Sequence, residues 1–274
     1  MALFRSILKI LEIEMKTPKS YGWFHLLFLG ITFGITLILC TKYRHTSREN
    51  IRKTIVAVAI MTILLEGYKQ FVFTFEAVKG GIAVDYQWYA FPWQFCSTPM
   101  YAGLLTAVFR KGKVHDALAA YLASYSIFAG CCVMFYPAQV FIDTIGVNIQ
   151  TMFWHGGMIV IGVWLLATSY VRVDKNTIFK ALAVFVCFVG IAMLMNDIAY
   201  RTGITSEGFN MFYISPYLPS TLPVFSSIQK VLPYPVSLLI YITVFTAAAD
   251  VILWIGYFFQ HHKPHCRKKM AVLR

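Results

Sequence analysis

Two residue types in this chain pair naturally for acyl chemistry. Cys96 stands in Phe91-Pro92-Trp93-Gln94-Phe95-Cys96-Ser97-Thr98-Pro99, and His155 in Trp154-His155-Gly156-Gly157. A thiolate is a strong nucleophile, and an imidazole can take its proton and give it back. Each motif lies at or just inside the start of an apolar run. At the helical rise, Cys96 falls about 6 Å and His155 about 9 Å below the same membrane face. His25, Asn196 and Asp197 lie towards that face on two further runs. Polar side chains are costly in lipid, so such groups are expected to turn into the bundle. A lone cysteine or histidine on an apolar helix is more often a packing or hydrogen-bonding residue. Matched depth is what lifts the catalytic reading.

The elements that must hold these residues follow from composition. The chain has 274 residues, is 58% hydrophobic and only 13% charged, with a mean hydropathy of +0.64. That balance fits an all-α, polytopic membrane helix bundle and no ordinary soluble domain. The formal charge of +12 sits mainly in short loops beside apolar runs. It therefore sets topology and meets anionic headgroups rather than nucleic acid, for which no motif is present. The six cysteines form no C-x-x-C, which argues against a disulfide framework or zinc site. His261, His262, His265 and Cys266 have a metal-like composition, but their spacing fits no closed site. No metal and no cofactor is implied.

Three regions follow: residues 1–20 as an amphipathic interfacial segment, 21–260 as the bundle, and 261–274 as a basic tail. Leu3, Phe4, Ile7, Leu8 and Leu11 recur at helical spacing opposite Arg5, Lys9 and Glu12, as in a helix lying in the membrane interface. About seven transmembrane helices are predicted, near 23–41, 54–78, 92–109, 117–136, 149–171, 178–199 and 236–259. The connection 200–235 is rich in proline and apolar enough to fold back onto the bundle. Positive charge follows spans one, three, five and seven, so the N-terminus is expected outside and the C-terminus inside.

Pro92 suits the first helical position. That start would put Cys96 in the first turns, where free N–H groups and the positive helix end favour a thiolate. Those N–H groups, with Gln94 or Asn196, are candidates to hold an oxyanion. Pro99 would then kink the helix below the site. Glu66 and Lys69 fall mid-span on one helical face and are expected to pair. Asp250 is expected to meet a basic partner or snorkel.

The array of spans, Gly22-Trp23-Phe24-His25, the Cys96 and His155 motifs and Asn210-Met211-Phe212-Tyr213 resemble the YwaF-type bacterial membrane proteins. That group is similar to the eukaryotic transmembrane protein 164 family. The sharpest shared motif is Leu-Pro-Leu-(His/Gln)-Leu-Cys, here Phe91-Pro92-Trp93-Gln94-Phe95-Cys96. The resemblance covers residues 20–258. It implies an integral protein of a bacterial cell membrane and an acyltransferase that remodels phospholipids, with the family's cysteine on Cys96 and its histidine on His155. Gln94, His25, Asn196, Asp197 and Asn210 would bind substrate or support the pair. The partners implied are phospholipid and lysophospholipid. Phe and Trp replace motif leucines, which leaves the substrate open.

Two other readings stand beside this one. A small-molecule transporter would use Glu66 and Lys69 as its midplane site, although no inverted repeat is visible. A hydrolase would use the same Cys/His pair with water as acceptor. The sequence leaves oligomeric state open.

Overall fold

The computed structural model describes residues 2–78 and 81–261. Of the metal-like tail, His262, His265 and Cys266 lie outside the described residues. Helix α1 (Ala2–Leu11) precedes α2 (Trp23–Thr41), α3 (Arg48–Val72) and a hairpin of β1 (Phe75–Val78) and β2 (Gly81–Val84). Then come α4 (Thr98–Val108), α5 (Lys113–Leu122), α6 (Tyr125–Phe135), α7 (Ile145–Ala167) and α8 (Thr177–Arg201). The last described elements are α9 (Pro223–Val231) and α10 (Tyr234–His261).

Among the described residues, six helices are long and apolar enough to cross a membrane: α2, α3, the α5–α6 rod, α7, α8 and α10. The segment Phe95–Val108, which holds α4, is apolar but shorter than these six, against the seven spans expected. This is the polytopic helical bundle that composition predicts. Helix α7 and the α5–α6 rod are enclosed, whereas α2, α3, α8 and α10 turn large apolar side chains outward, among them Phe33, Leu64, Leu194 and Leu239. A lipid bilayer is the solvent that accepts such faces.

Hydrogen bonds gather the loops into two ends. Arg48 Nη1 donates to the Tyr170 carbonyl at 2.9 Å, with its guanidinium 4.3 Å from the Tyr170 ring centroid. His115 bridges the Phe109 carbonyl (2.8 Å) and the Tyr170 hydroxyl (2.7 Å). Gln260 Nε2 donates to the carbonyls of Leu166 (2.8 Å) and Val171 (2.9 Å). The basic loops after α2, α4 and α7 thus meet the end of α10 on one side, the basic end. The opposite end carries α1, the hairpin and the 200–235 connection.

Helix α1 is amphipathic as expected. Phe4 packs edge-on to Phe71 and Phe75, both at 5.7 Å, and Leu8 is fully buried. Leu3, Ile7 and Ile10 stay exposed, as suits a helix resting at an interface.

Three boundaries differ from expectation. Ser47 Oγ accepts from the Asn50 N–H at 3.2 Å and caps α3 at Arg48. The helix then stops at Val72, because the aromatic and β-branched residues beyond it pair as a hairpin. Glu66 and Lys69 consequently move from mid-span to the last two turns. The fourth span is broken: Ser124 leaves the helical region at φ −136°, ψ −79°, and its hydroxyl bonds back to the Ala120 carbonyl at 2.7 Å. Finally, α4 starts at Thr98, not Pro92. Pro92 and Pro99 cannot both occupy a first turn, and an interior proline costs about 3 kcal/mol. Pro99 takes that position, so it starts α4 and does not kink it.

Candidate functional site

Cys96 lies in a 3-10 turn, Phe95–Ser97, that leads into α4. The turn is fixed from both sides. The Phe95 ring is caged by Phe185 (5.6 Å), Phe212 (5.9 Å) and Phe245 (5.0 Å). The Phe95 carbonyl accepts from Thr98 Oγ1 at 2.7 Å. The Cys96 carbonyl accepts from Trp154 Nε1 at 2.8 Å. That last bond ties the cysteine turn to α7 at the residue next to His155. Cys96 itself is partly buried.

His155 is 6% exposed. Its Nδ1 lies 2.7 Å from the Thr151 carbonyl one turn back. A carbonyl only accepts, so Nδ1 carries the hydrogen and Nε2 holds the lone pair. This Nε2 is buried without a hydrogen-bond partner. Buried polar atoms are usually paired, and this nitrogen is an exception among the described residues. Glycines permit the approach of neighbouring helices here. A Cβ on Gly130 would stand 2.7 Å from the His155 carbonyl, and one on Gly156 would collide with Thr32 Oγ1.

The thiol of Cys96 makes no hydrogen bond to His155 Nε2 in this structure. The two motifs are adjacent through Trp154, but the pair is not closed. A cavity of about 40 Å³ lies deeper between them, lined by Thr62, Pro99, Met100, Trp154, Gly157 and Met158.

Lys69 joins this neighbourhood. It stands on the last turns of α3, the helix whose Ile63 packs in one cluster with Met100, Trp154 and Cys96. Lys69 Nζ pairs with Glu66 Oε1 at 2.8 Å, the side chains being 18% and 7% exposed. Gln70 Nε2 donates to Glu66 Oε1 and to the Ala90 carbonyl, both at 2.7 Å, and the Tyr86 hydroxyl donates to Gln70 Oε1 at 2.7 Å. The pairing matches expectation; the midplane placement does not. Sequence reasoning did not connect Lys69 to the cysteine, because the misplaced end of α3 put it at another depth.

The remaining candidates take structural bonds. His25 accepts from the Tyr21 N–H at Nδ1 (2.8 Å) and donates from Nε2 to the Met134 carbonyl (2.8 Å). The Nε2 bond staples α2 to α6, and the Nδ1 bond fixes the turn that enters α2. Gln94 donates to the Asn210 carbonyl at 3.0 Å and accepts from the Phe212 N–H at 2.9 Å. Asn196 accepts from the Met211 N–H at 2.7 Å and donates to the Met211 carbonyl at 3.0 Å. Asn210 accepts from the Ser215 N–H and donates to the Pro219 carbonyl, at 2.9 and 3.3 Å. Asp197 accepts from Arg201 and the Tyr217 hydroxyl, both at 2.7 Å. These four clamp residues 210–219 over the cysteine turn. Phe212 (φ 59°) and Tyr213 (φ 57°) occupy the left-handed region, a strain of about 1–3 kcal/mol each that the clamps sustain.

The expected oxyanion donors are also largely spent. The Ser97 N–H goes to the Gln94 carbonyl at 2.8 Å, the Thr98 N–H to the Phe95 carbonyl, and Pro99 has none. Asp250 is exposed on α10 and makes no ion pair among the described residues, so of the two outcomes expected for it the basic partner is not found.

A bundle with six membrane-length helices, enclosing a cysteine turn beside a buried histidine, defines a multi-pass integral membrane protein. The chain belongs to the TMEM164 family, whose model matches residues 20–254. No curated protein matches the chain, and no solved structure does.

Proposed function

We propose that the protein is a membrane-embedded acyltransferase that moves a fatty acyl chain from a phospholipid to a lysophospholipid through a Cys96 thioester. One observation carries this reading: the unpartnered Nε2 of His155, its tautomer set by Thr151, on the helix that holds the Cys96 turn through Trp154. The family resemblance, whose eukaryotic branch implies a Cys/His acyltransferase, supports the same pair.

Substrate entry draws Cys96 Sγ towards Nε2; catalytic hydrogen bonds are commonly long before substrate binds. His155 takes the thiol proton. The thiolate attacks the ester carbonyl carbon of the donor, an S–C bond forms, and the carbonyl electrons move to oxygen. When the tetrahedral intermediate collapses, the C–O bond breaks, and His155 protonates the departing lysophospholipid alkoxide. The hydroxyl of a second lysophospholipid then gives its proton to Nε2 and attacks the thioester. The C–S bond breaks, and the thiolate recovers its proton from His155. Lys69, on the last turns of α3, whose Ile63 packs with Cys96 and Trp154, is the cation assigned to the oxyanion that the spent N–H groups at the start of α4 leave unserved. Positioning falls to Gln94, Asn196, Asp197 and Asn210, which hold the 210–219 segment over the site.

The transporter alternative is favoured less, since it calls for a midplane pair and Glu66 and Lys69 lie in the last two turns of α3.

The test is labelling of purified protein with an acyl electrophile and a radiolabelled phospholipid, in wild type, Cys96→Ala and His155→Ala. Hydroxylamine-labile acyl incorporation should vanish in the first variant and slow strongly in the second, and an added lysophospholipid should discharge it. Equal labelling of all three proteins overturns the reading. Release of free fatty acid with no transfer to lysophospholipid would make the protein a hydrolase.

A further inference from the structure

A large apolar cavity lies away from this site, at the basic end. It is about 490 Å³, within the size range of small-molecule sites. Helix α10 packs on α6 and α7, and α2 packs on α7. The cavity is the groove that α2 and α10 leave above α6 and α7. Its lining is almost wholly apolar, including Ile127, Val163, Ala167, Ile255 and Phe259. Val163 stands about 12 Å along α7 from His155 at the helical rise, so this groove is separate from the cysteine neighbourhood.

One charged residue lines the groove. Arg44, in the turn after α2, is half-buried and makes no ion pair among the described residues. The groove's other polar side chain at this end, Gln260, is committed to the backbone of Leu166, Val171 and Val173. An apolar slot with a single unpaired guanidinium at its membrane-interface end matches a molecule with an alkyl chain and an anionic head.

We infer that the groove between α2 and α10 binds an anionic phospholipid of the leaflet at the basic end, one acyl chain in the slot and its phosphate on Arg44. Guanidinium is the side chain suited to phosphate. Charge argues against the other occupants. Residues 262–274 are basic, and a second copy docking in parallel would bring its own basic loops against Arg44.

The protein is placed in phosphatidylcholine nanodiscs with a trace of photoactivatable phospholipid carrying a diazirine on its acyl chain. The head is phosphatidylglycerol in one arm and phosphatidylcholine in the other. Cross-links to peptides containing Ala167 and Ile255–Phe259 are scored against those at Leu194, which faces lipid on α8. Phosphatidylglycerol should exceed phosphatidylcholine about fivefold at the groove, the worth of one interfacial cation, and show no such excess at Leu194. Arg44→Gln should erase the preference, Arg44→Lys should keep part of it, and Ala167→Phe should suppress both lipids at the groove. Equal labelling by the two lipids in wild type, or a preference untouched by Arg44→Gln, overturns the inference. So does cross-linking of the groove to residues 262–274 or to a second chain in place of lipid.

Discussion

The indole of Trp154 donates to the carbonyl of Cys96 at 2.8 Å, so the residue beside the histidine holds the backbone of the cysteine. This one bond sets the position of the nucleophile relative to the base. Trp154→Phe keeps an aromatic ring, though a smaller one, and removes the donor. It strands a carbonyl at a cost of about 1–3 kcal/mol. The expected outcome is a lowered midpoint in thermal unfolding and a slower acylation of Cys96 in protein that remains folded. Unchanged acylation with lowered stability would leave the bond a packing feature only.

The tautomer of His155 makes a second prediction. His155→Gln retains a side chain that can bond to Thr151 but supplies no base. Acyl transfer should fall by about 10²–10⁴-fold, the usual contribution of a positioned acid–base group, while the unfolding midpoint stays near wild type. A fall of less than tenfold, measured by single-turnover acylation, removes His155 from the proton path.

Glu66 and Lys69 separate structure from chemistry. Lys69→Met leaves Glu66 as a buried carboxylate with only Gln70 for company, and breaking such a pair costs about 3–5 kcal/mol. Glu66→Gln combined with Lys69→Met should restore much of that stability. Acylation should stay depressed in the double variant, because the cation assigned to the oxyanion is gone, and Lys69→Arg should retain more activity than Lys69→Met. Recovery of both stability and rate in the double variant would make the pair purely structural.

Much of this arrangement could be read in the sequence, and the misses have physical causes. The spans and the clustering of basic loops follow from apolar run length and loop charge, which the fold obeys directly. Cys96 and His155 are singled out in the sequence by their matched depth below one membrane face, since polar side chains are costly in lipid. The start of α4 was misjudged because Pro92 and Pro99 both signal a first turn, and only the chain's folding decides between them. The end of α3 was misjudged because Phe71–Phe75 is as apolar in a strand as in a helix, so hydropathy runs through the boundary. The roles of Gln94, Asn196 and Asn210 could not be seen at all. Their partners are backbone atoms of a connection with no periodic pattern, and that pairing exists only once residues 210–219 have folded over the cysteine turn.

That folded segment supplies the last prediction. Phe212 and Tyr213 hold positive φ values while Asn196 binds both backbone groups of Met211. Asn196→Leu keeps the side chain's volume and strands that N–H and carbonyl, so the strained turn loses its main restraint. The segment should open more often above Cys96. In a background with the other cysteines replaced by alanine or serine, Cys96 should then react faster with a water-soluble maleimide. The thermal midpoint should fall modestly, because the long helices do not depend on this clamp. Gln94→Leu, which removes the bonds to Asn210 and Phe212, should act in the same direction. If both variants leave the maleimide rate unchanged, the segment does not govern access to the thiol, and the entry path for lipid must lie between the helices instead.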